Sequence, residues 1–264
     1  MAPLLEPALG VELRPAPGLD TDAFGSFSRE VPRSGSPLDA ARAKLAAAFA
    51  RVPAARFGVA SEGSFGPHPA VPLLPHAEEL VLLVDREEGV ECVGRDVGAA
   101  TNFAQAIVAD VAGARDFAGR AGFPAHGLIV SACVEGEPAP TLALVKDIDS
   151  EAALAAAVTR VLGITAQALV ETDMRAHRNP TRMASIARAT ADVLRIYDSR
   201  CPACATRGYA VRARRPGLPC AACALPTRLV LSEVLACARC GHEQARPAAG
   251  PRCADPASCE YCNP

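Results

Sequence analysis

Eight of the eleven cysteines in this chain fall into four C-x-x-C pairs: Cys201/Cys204, Cys220/Cys223, Cys237/Cys240 and Cys259/Cys262. Two residues between thiols let both sulfurs and the intervening amides wrap one ion as a knuckle, and two knuckles complete the tetrahedral four-thiolate site that Zn²⁺ accepts. A disulfide framework would need an oxidising compartment, for which the sequence carries no signal. One C-x-x-C could be a redox motif, but four at this density read as two structural zinc sites. Sequential ribbons would join 201/204 with 220/223 and 237/240 with 259/262. Their separations, 15 and 18 residues, suit a zinc-ribbon hairpin. A nested arrangement with the middle pairs together is the alternative. Cys253 and His242 are spare candidates, read as bystanders. Four thiolates leave no open coordination position, so these sites are expected to be structural, with metal binding supplying the folding free energy of a small module.

The cysteines thus divide the 264 residues into an N-terminal part, 1–197, and a double zinc-ribbon domain, 198–264. Charge divides at the same place. The tail holds nine arginines against five acids, a net of +4, while 1–197 holds 18 basic and 24 acidic residues, a net of −6. A tail of +4 is well short of a dedicated nucleic-acid patch. The longest apolar runs, VLLV at 81–84 and GLIV at 127–130, do not approach the eighteen or so residues of a membrane span. The first thirty residues place prolines and acids where a signal peptide needs an apolar segment. No membrane association and a cytoplasmic location are the expectations.

Over 1–197 the pattern alternates between helix and strand. SGSPLDAARAKLAAAFARV predicts a helix capped by Ser36, with Pro37 at its first position and Asp39 in its first turn. ARFGVA reads as a buried strand entering a glycine-rich loop, SEGSFGPHP. EELVLLVD and GVECVG pair across REEG, and HGLIVSACV and TLALVKDI are further strands. SEAALAAAVTRVLG is a helix from Ser150 to Gly163, followed by the strand AQALVE. NPTRMASIARATADVLRIY closes the domain as a helix capped by Asn179, with Met183, Ile186, Ala187, Thr190, Leu194 and Tyr197 on one face. The expected class is α/β, a mixed sheet with flanking helices.

Between the last strand and the last helix lies ETDMRAHRNPTRM, where two carboxylates, three arginines and a histidine crowd together. Ligands of α/β domains gather at the carboxyl ends of strands, and a helix N-terminus offers N–H groups to an anion. Arg175, Arg178 and Arg182 can add charge there, and Glu171 or Asp173 could hold Mg²⁺. Glu62 in SEGSFGPHP repeats the logic. The competing reading is a capped helix with solvated charges and an ordinary turn. Arginine outnumbers lysine 25 to 2, so Lys44 and Lys146 stand out as lysines.

DTDAFGSFSREVPR, SPLDAARAKLAAA, ASEGSFGPHP, ETDMRAHRNPTRM, the knuckle pairs and the terminal C-x-Y-C-N-P together resemble a bacterial family known as a domain of unknown function, over almost the whole chain. The order of helix ARAKLAAA, GVASEGSF and ETDMRAHRNPTR is also similar to that of the inosine/xanthosine triphosphate pyrophosphatases. That resemblance implies Mg²⁺-dependent cleavage of a nucleotide phosphoanhydride. It implies Lys44 facing phosphate, Glu62 on the metal, and Thr181 and Arg182 on the nucleotide. Those enzymes open with a strand and a glycine/lysine phosphate loop, and MAPLLEPALG has neither.

Two function classes follow. In the first, the α/β domain binds or hydrolyses a nucleotide with Mg²⁺: Glu62 with Glu171 or Asp173 serves catalysis, and Lys44, Arg175, Thr181 and Arg182 bind the ligand. In the second, the domain is a scaffold whose zinc ribbons bind nucleic acid or a protein partner. The first carries a geometric expectation, that Glu62, Asp173 and Arg182 converge on one pocket with Lys44 pointing into it.

Overall fold

The computed structural model describes residues 1–24, 35–68 and 73–264. Most of DTDAFGSFSREVPR and the final proline of SEGSFGPHP lie outside the described residues. The chain divides into two compact units, Met1–Leu83 with Val93–Val193, and Val84–Cys92 with Leu194–Pro264.

The first unit is α/β, with helices flanking two sheets. Helix α1 spans Ala2–Leu9 and α2 spans Pro37–Arg51. The expected cap of α2 forms as a capping box: Ser36 Oγ accepts from the Asp39 amide at 3.2 Å and the Asp39 carboxylate from the Ser36 amide at 3.1 Å. Strands β1 (Phe57–Pro67), β2 (Pro75–Asp85) and β3 (Val90–Gly98) form a three-stranded sheet in that order. Only four residues join β2 to its hydrogen-bonded neighbour β3, so that pair is an antiparallel hairpin.

Here one expectation is corrected. SEGSFGP is not a loop but the second half of β1. Its glycines mark close approach rather than turns. A Cβ on Gly58 would meet the Phe49 ring at 2.5 Å, and one on Gly63 would meet Glu79 Oε2 at 2.6 Å. Glu62 therefore sits inside a strand, not at its end.

The second sheet runs β4 (Gln105–Val108), β8 (Gln167–Thr172), β5 (Leu128–Val134), with β6 (Glu137–Pro138) and β7 (Leu144–Ile148) also on β5; every pair is antiparallel. Leu128, Val130 and Ala132 of β5 and Ala168 and Val170 of β8 share one face. Against it pack α3 (Val111–Ala121), through Ala114, Phe117 and Ala118, and α4 (Glu151–Leu162), through Leu154, Val158 and Val161. Ser150 caps α4 as expected. The sequence patterns above include no helix at α3, whose start is fixed by Asp110 Oδ1 accepting from the Gly113 amide at 2.7 Å.

Helix α5 spans Pro180–Asp198. Asn179 caps it, its Oδ1 accepting from the Arg182 amide at 2.9 Å. The buried face differs from the expected one. Met183 is 45% exposed and Ala187 exposed, whereas Arg182, Ser185, Ile186, Ala189, Thr190, Val193 and Tyr197 are buried. The stripe rotates because two polar residues, Arg182 and Ser185, are buried with carboxylate partners, Glu79 and Asp96.

In the second unit, β9 (Ala210–Pro216), β10 (Val230–Ala236) and β11 (Glu243–Pro247) form an antiparallel sheet with β10 central. The hairpin tip 84–92 belongs to this unit. Tyr197 donates its hydroxyl to Asp85 Oδ2 at 2.6 Å, and a Cβ on Gly208 would meet Cys92 Sγ at 3.0 Å. Burial pushes the Cys92 thiol up to about 11, against the opposing effect of Arg212.

Candidate functional site

A cavity of about 370 Å³ opens in the first unit. Helix α2 contributes Lys44 and β1 contributes Ser61 and Glu62. The segment after β8 contributes Arg175 and His177, the first turn of α5 contributes Arg182, and the chain before α2 adds Asp20 and Thr21. Residues more than a hundred positions apart thus meet at one hollow.

Three of its cations are held by carboxylates. Lys44 Nζ forms an ion pair with Glu62 Oε1, the lysine side chain 15% exposed and the glutamate 3%. Arg175 donates Nε and Nη2 to Asp173, at 3.0 and 2.6 Å, and Nη2 to Asp147 at 2.9 Å. The hydrogen bond from Arg175 to Asp173 raises the guanidinium pKa above its ordinary value, with burial opposing. Arg182 forks onto Glu79 through Nε at 3.0 Å and Nη2 at 3.1 Å, and donates Nη1 to the Met174 carbonyl. Its guanidinium carbon also lies 5.6 Å from the centre of the Phe65 ring.

Asp147 organises the outer rim. It adopts φ +61°, uncommon for a residue with a side chain, and accepts from Arg175 and from Arg178 Nε at 3.0 Å. Burial works to raise its carboxyl, yet the two guanidiniums hold it below the usual range.

The structure brings Lys44, Glu62, Arg175 and Arg182 to the cavity wall; Glu171, Asp173 and Thr181 are not among its lining residues. Asp173 is wholly buried behind Arg175, accepting from its backbone amide as well as its side chain. Glu171 is 8% exposed, paired across the sheet with Ile129 and Gln105. Thr181 Oγ1 lies 2.9 Å from His126 Nε2. Among the described residues, no trio of carboxylates and histidines gathers tightly enough to hold an ion by itself. Glu79 and Asp147 are absent from the sequence-derived candidates; an acid inside the apolar run EELVLLVD is the available signal for Glu79.

The cysteines of the second unit form two four-thiol clusters, Cys201/Cys204/Cys237/Cys240 and Cys220/Cys223/Cys259/Cys262. Four sulfurs about 2.3 Å from a tetrahedral Zn²⁺ lie about 3.8 Å from one another. Here the Sγ–Sγ distances are 3.6 Å for 201–240 and 204–237, 3.8 Å for 220–262 and 3.7 Å for 223–259. The knuckle amides of Ala203 and Ala222 each donate to a sulfur at 3.4 Å. The donor sets fit Zn²⁺. Cys253 and His242 belong to neither cluster.

The pairing is neither the sequential nor the nested one. It is interleaved, first knuckle with third and second with fourth, and the sheet dictates it. Because β9, β10 and β11 reverse direction in turn, Ala210 at the start of β9 faces Ala236 at the end of β10. The knuckles before β9 and after β10 therefore share one end of the sheet. Pro247 at the end of β11 faces Ser232 near the start of β10, which places the second and fourth knuckles at the other end.

Residues 50–264 match the family model of DUF6671, described as a domain of unknown function. The chain belongs to the DUF6671 family. No curated protein and no solved structure matches it. The DUF6671 match takes in β1 with Glu62, the ETDMRAHRNPTRM segment and both cysteine clusters, while Lys44, the partner of Glu62, precedes it.

Proposed function

We propose that the first unit binds a phosphate-bearing small molecule of the nucleotide class, together with Mg²⁺, in the Lys44–Glu62 cavity. The two four-thiol clusters hold structural Zn²⁺. The observation that carries the reading is the meeting of Lys44, Glu62, Arg175 and Arg182 at one hollow of small-molecule size. Mg²⁺ is commonly held by one or two carboxylates plus the phosphates it accompanies, rather than by an all-protein cage. A single buried carboxylate, Glu62, beside a lysine fits that use.

Glu62 would hold the metal, which when bound supplies charge neutralisation on a phosphoryl oxygen. Lys44 and Arg175 would take phosphate oxygens. Asp173 fixes Arg175 from behind, and Glu79 fixes Arg182 as wall. The test is a screen of purified protein against nucleoside triphosphates, with and without Mg²⁺, reading both thermal shift and phosphate release. A shift with Mg²⁺ and nucleotide, abolished by Lys44→Met, is expected. No shift with any nucleotide in either condition would sink the reading; a shift without turnover would make the cavity a binding site rather than a hydrolase centre.

The alternative is a scaffold whose second unit binds a partner. Each four-thiolate Zn²⁺ site carries four negative charges against two positive, a net of −2, so two sites cancel the +4 of the tail. That disfavours nucleic acid. What favours a protein partner is Leu225, Leu229, Leu231 and Tyr261, between 42% and 66% exposed. Salt-insensitive capture of nucleic acid by the zinc-loaded chain would contradict this accounting.

A further inference from the structure

The cavity is charge-balanced as it stands. Lys44 faces Glu62, Arg175 faces Asp173 and Arg182 faces Glu79. A bare phosphate entering it must draw a cation away from a carboxylate and leave that carboxylate buried and uncompensated, which is strongly unfavourable.

The three pairs differ in how firmly they are tied. Arg182 is held through both edges of its guanidinium, on Glu79 and on the Met174 carbonyl. Arg175 is held by Asp173 and Asp147 from two sides. Lys44 holds Glu62 through one ammonium, a point charge on a four-carbon stem that can swing without breaking a fork.

On the reading above, we propose that the Lys44–Glu62 ion pair is a placeholder for a metal–phosphate ion pair. The ligand enters as its Mg²⁺ complex, its phosphate taking Lys44 and its metal taking Glu62. One ion pair within the protein and one within the ligand become two across the interface, and no buried charge is left over. Neither half of the ligand can do this alone, so each raises the affinity for the other by the same factor.

The test is calorimetric titration of the full chain with inorganic pyrophosphate and Mg²⁺, separately and together, in chelator-free buffer so that the four-thiol clusters keep their metal. Wild type is expected to bind pyrophosphate at least about tenfold more tightly with Mg²⁺ than without it. Glu62→Gln removes the competitor for Lys44, so its metal-free affinity for pyrophosphate should exceed that of wild type, and Mg²⁺ should no longer improve it. Lys44→Met leaves Glu62 without its lysine, so this variant should bind Mg²⁺ alone where wild type does not. Thermal melts establish that each variant is folded; if Glu62→Gln is not, the wild-type comparison and Lys44→Met decide.

Pyrophosphate binding that ignores Mg²⁺ in wild type, or a Glu62→Gln variant with no gain in metal-free affinity, overturns the placeholder while leaving a phosphate site. No pyrophosphate binding by wild type under either condition overturns the proposed function itself, and the placeholder with it.

Discussion

Glu79 and Arg182 lie 103 positions apart in sequence and meet as a fork in the wall of the cavity, 0% and 7% exposed. Removing one partner of such a pair leaves a buried charge, and Glu79→Gln is expected to cost about 3–5 kcal/mol, read as a lower midpoint in chemical denaturation. Gly63 serves the same pair by leaving room for the Glu79 carboxylate. Gly63→Ala would set its Cβ 2.6 Å from Oε2 and should lower stability in the same assay. Arg182 illustrates what a sequence conceals. Its position at the start of a helix is evident from Asn179-Pro180, but its partner lies on a distant strand, and nothing local distinguishes an arginine awaiting an anion from one already holding a carboxylate. Lys44 and Glu62 are expected from sequence to share a pocket and do; that they hold each other is visible only in the structure.

Elements whose signals are local can be read directly. The caps Ser36, Ser150 and Asn179 each satisfy an amide one turn in, which needs no tertiary information. The second half of β1 cannot, because its glycines answer to Phe49 and Glu79, which arrive from other elements. Gly94 shows the same dependence between β3 and α5: a Cβ there would meet the Ala189 carbonyl oxygen and the Val193 nitrogen at 2.3 Å. Gly94→Ala is therefore expected to destabilise by about 1–3 kcal/mol, as overpacking does, checked by thermal unfolding. Knuckle pairing also lies beyond the cysteine spacing, since it depends on the direction of three strands. Each cluster closes a loop that contains a knuckle of the other. Cys220→Ser should thus lower zinc from two ions to one, and the remaining ion should be lost to a chelator at lower concentration than either wild-type ion.

Across the whole molecule, carboxylates with depressed pKa values set the acid limit. Arg188 holds the Asp96 carboxyl below its ordinary range, burial opposing and Ser185 assisting. A lowered folded-state pKa contributes stability that is fully present above the unfolded value of about 3.9 and is lost as pH falls through the folded value. Melting temperature should decline below about pH 4, and Asp96→Asn should melt lower at neutral pH while showing a shallower decline. The interleaved knuckles have a mechanical consequence as well. Arg228, its side chain 87% exposed, lies between the second and third knuckles. A protease cutting the chain once there would leave two knuckles on each fragment, yet each metal would still bind one knuckle from either side of the cut. The nicked protein should migrate as a single species until the zinc is stripped, and only then fall into two pieces. Sequential ribbons would have let the fragments part with one ion apiece.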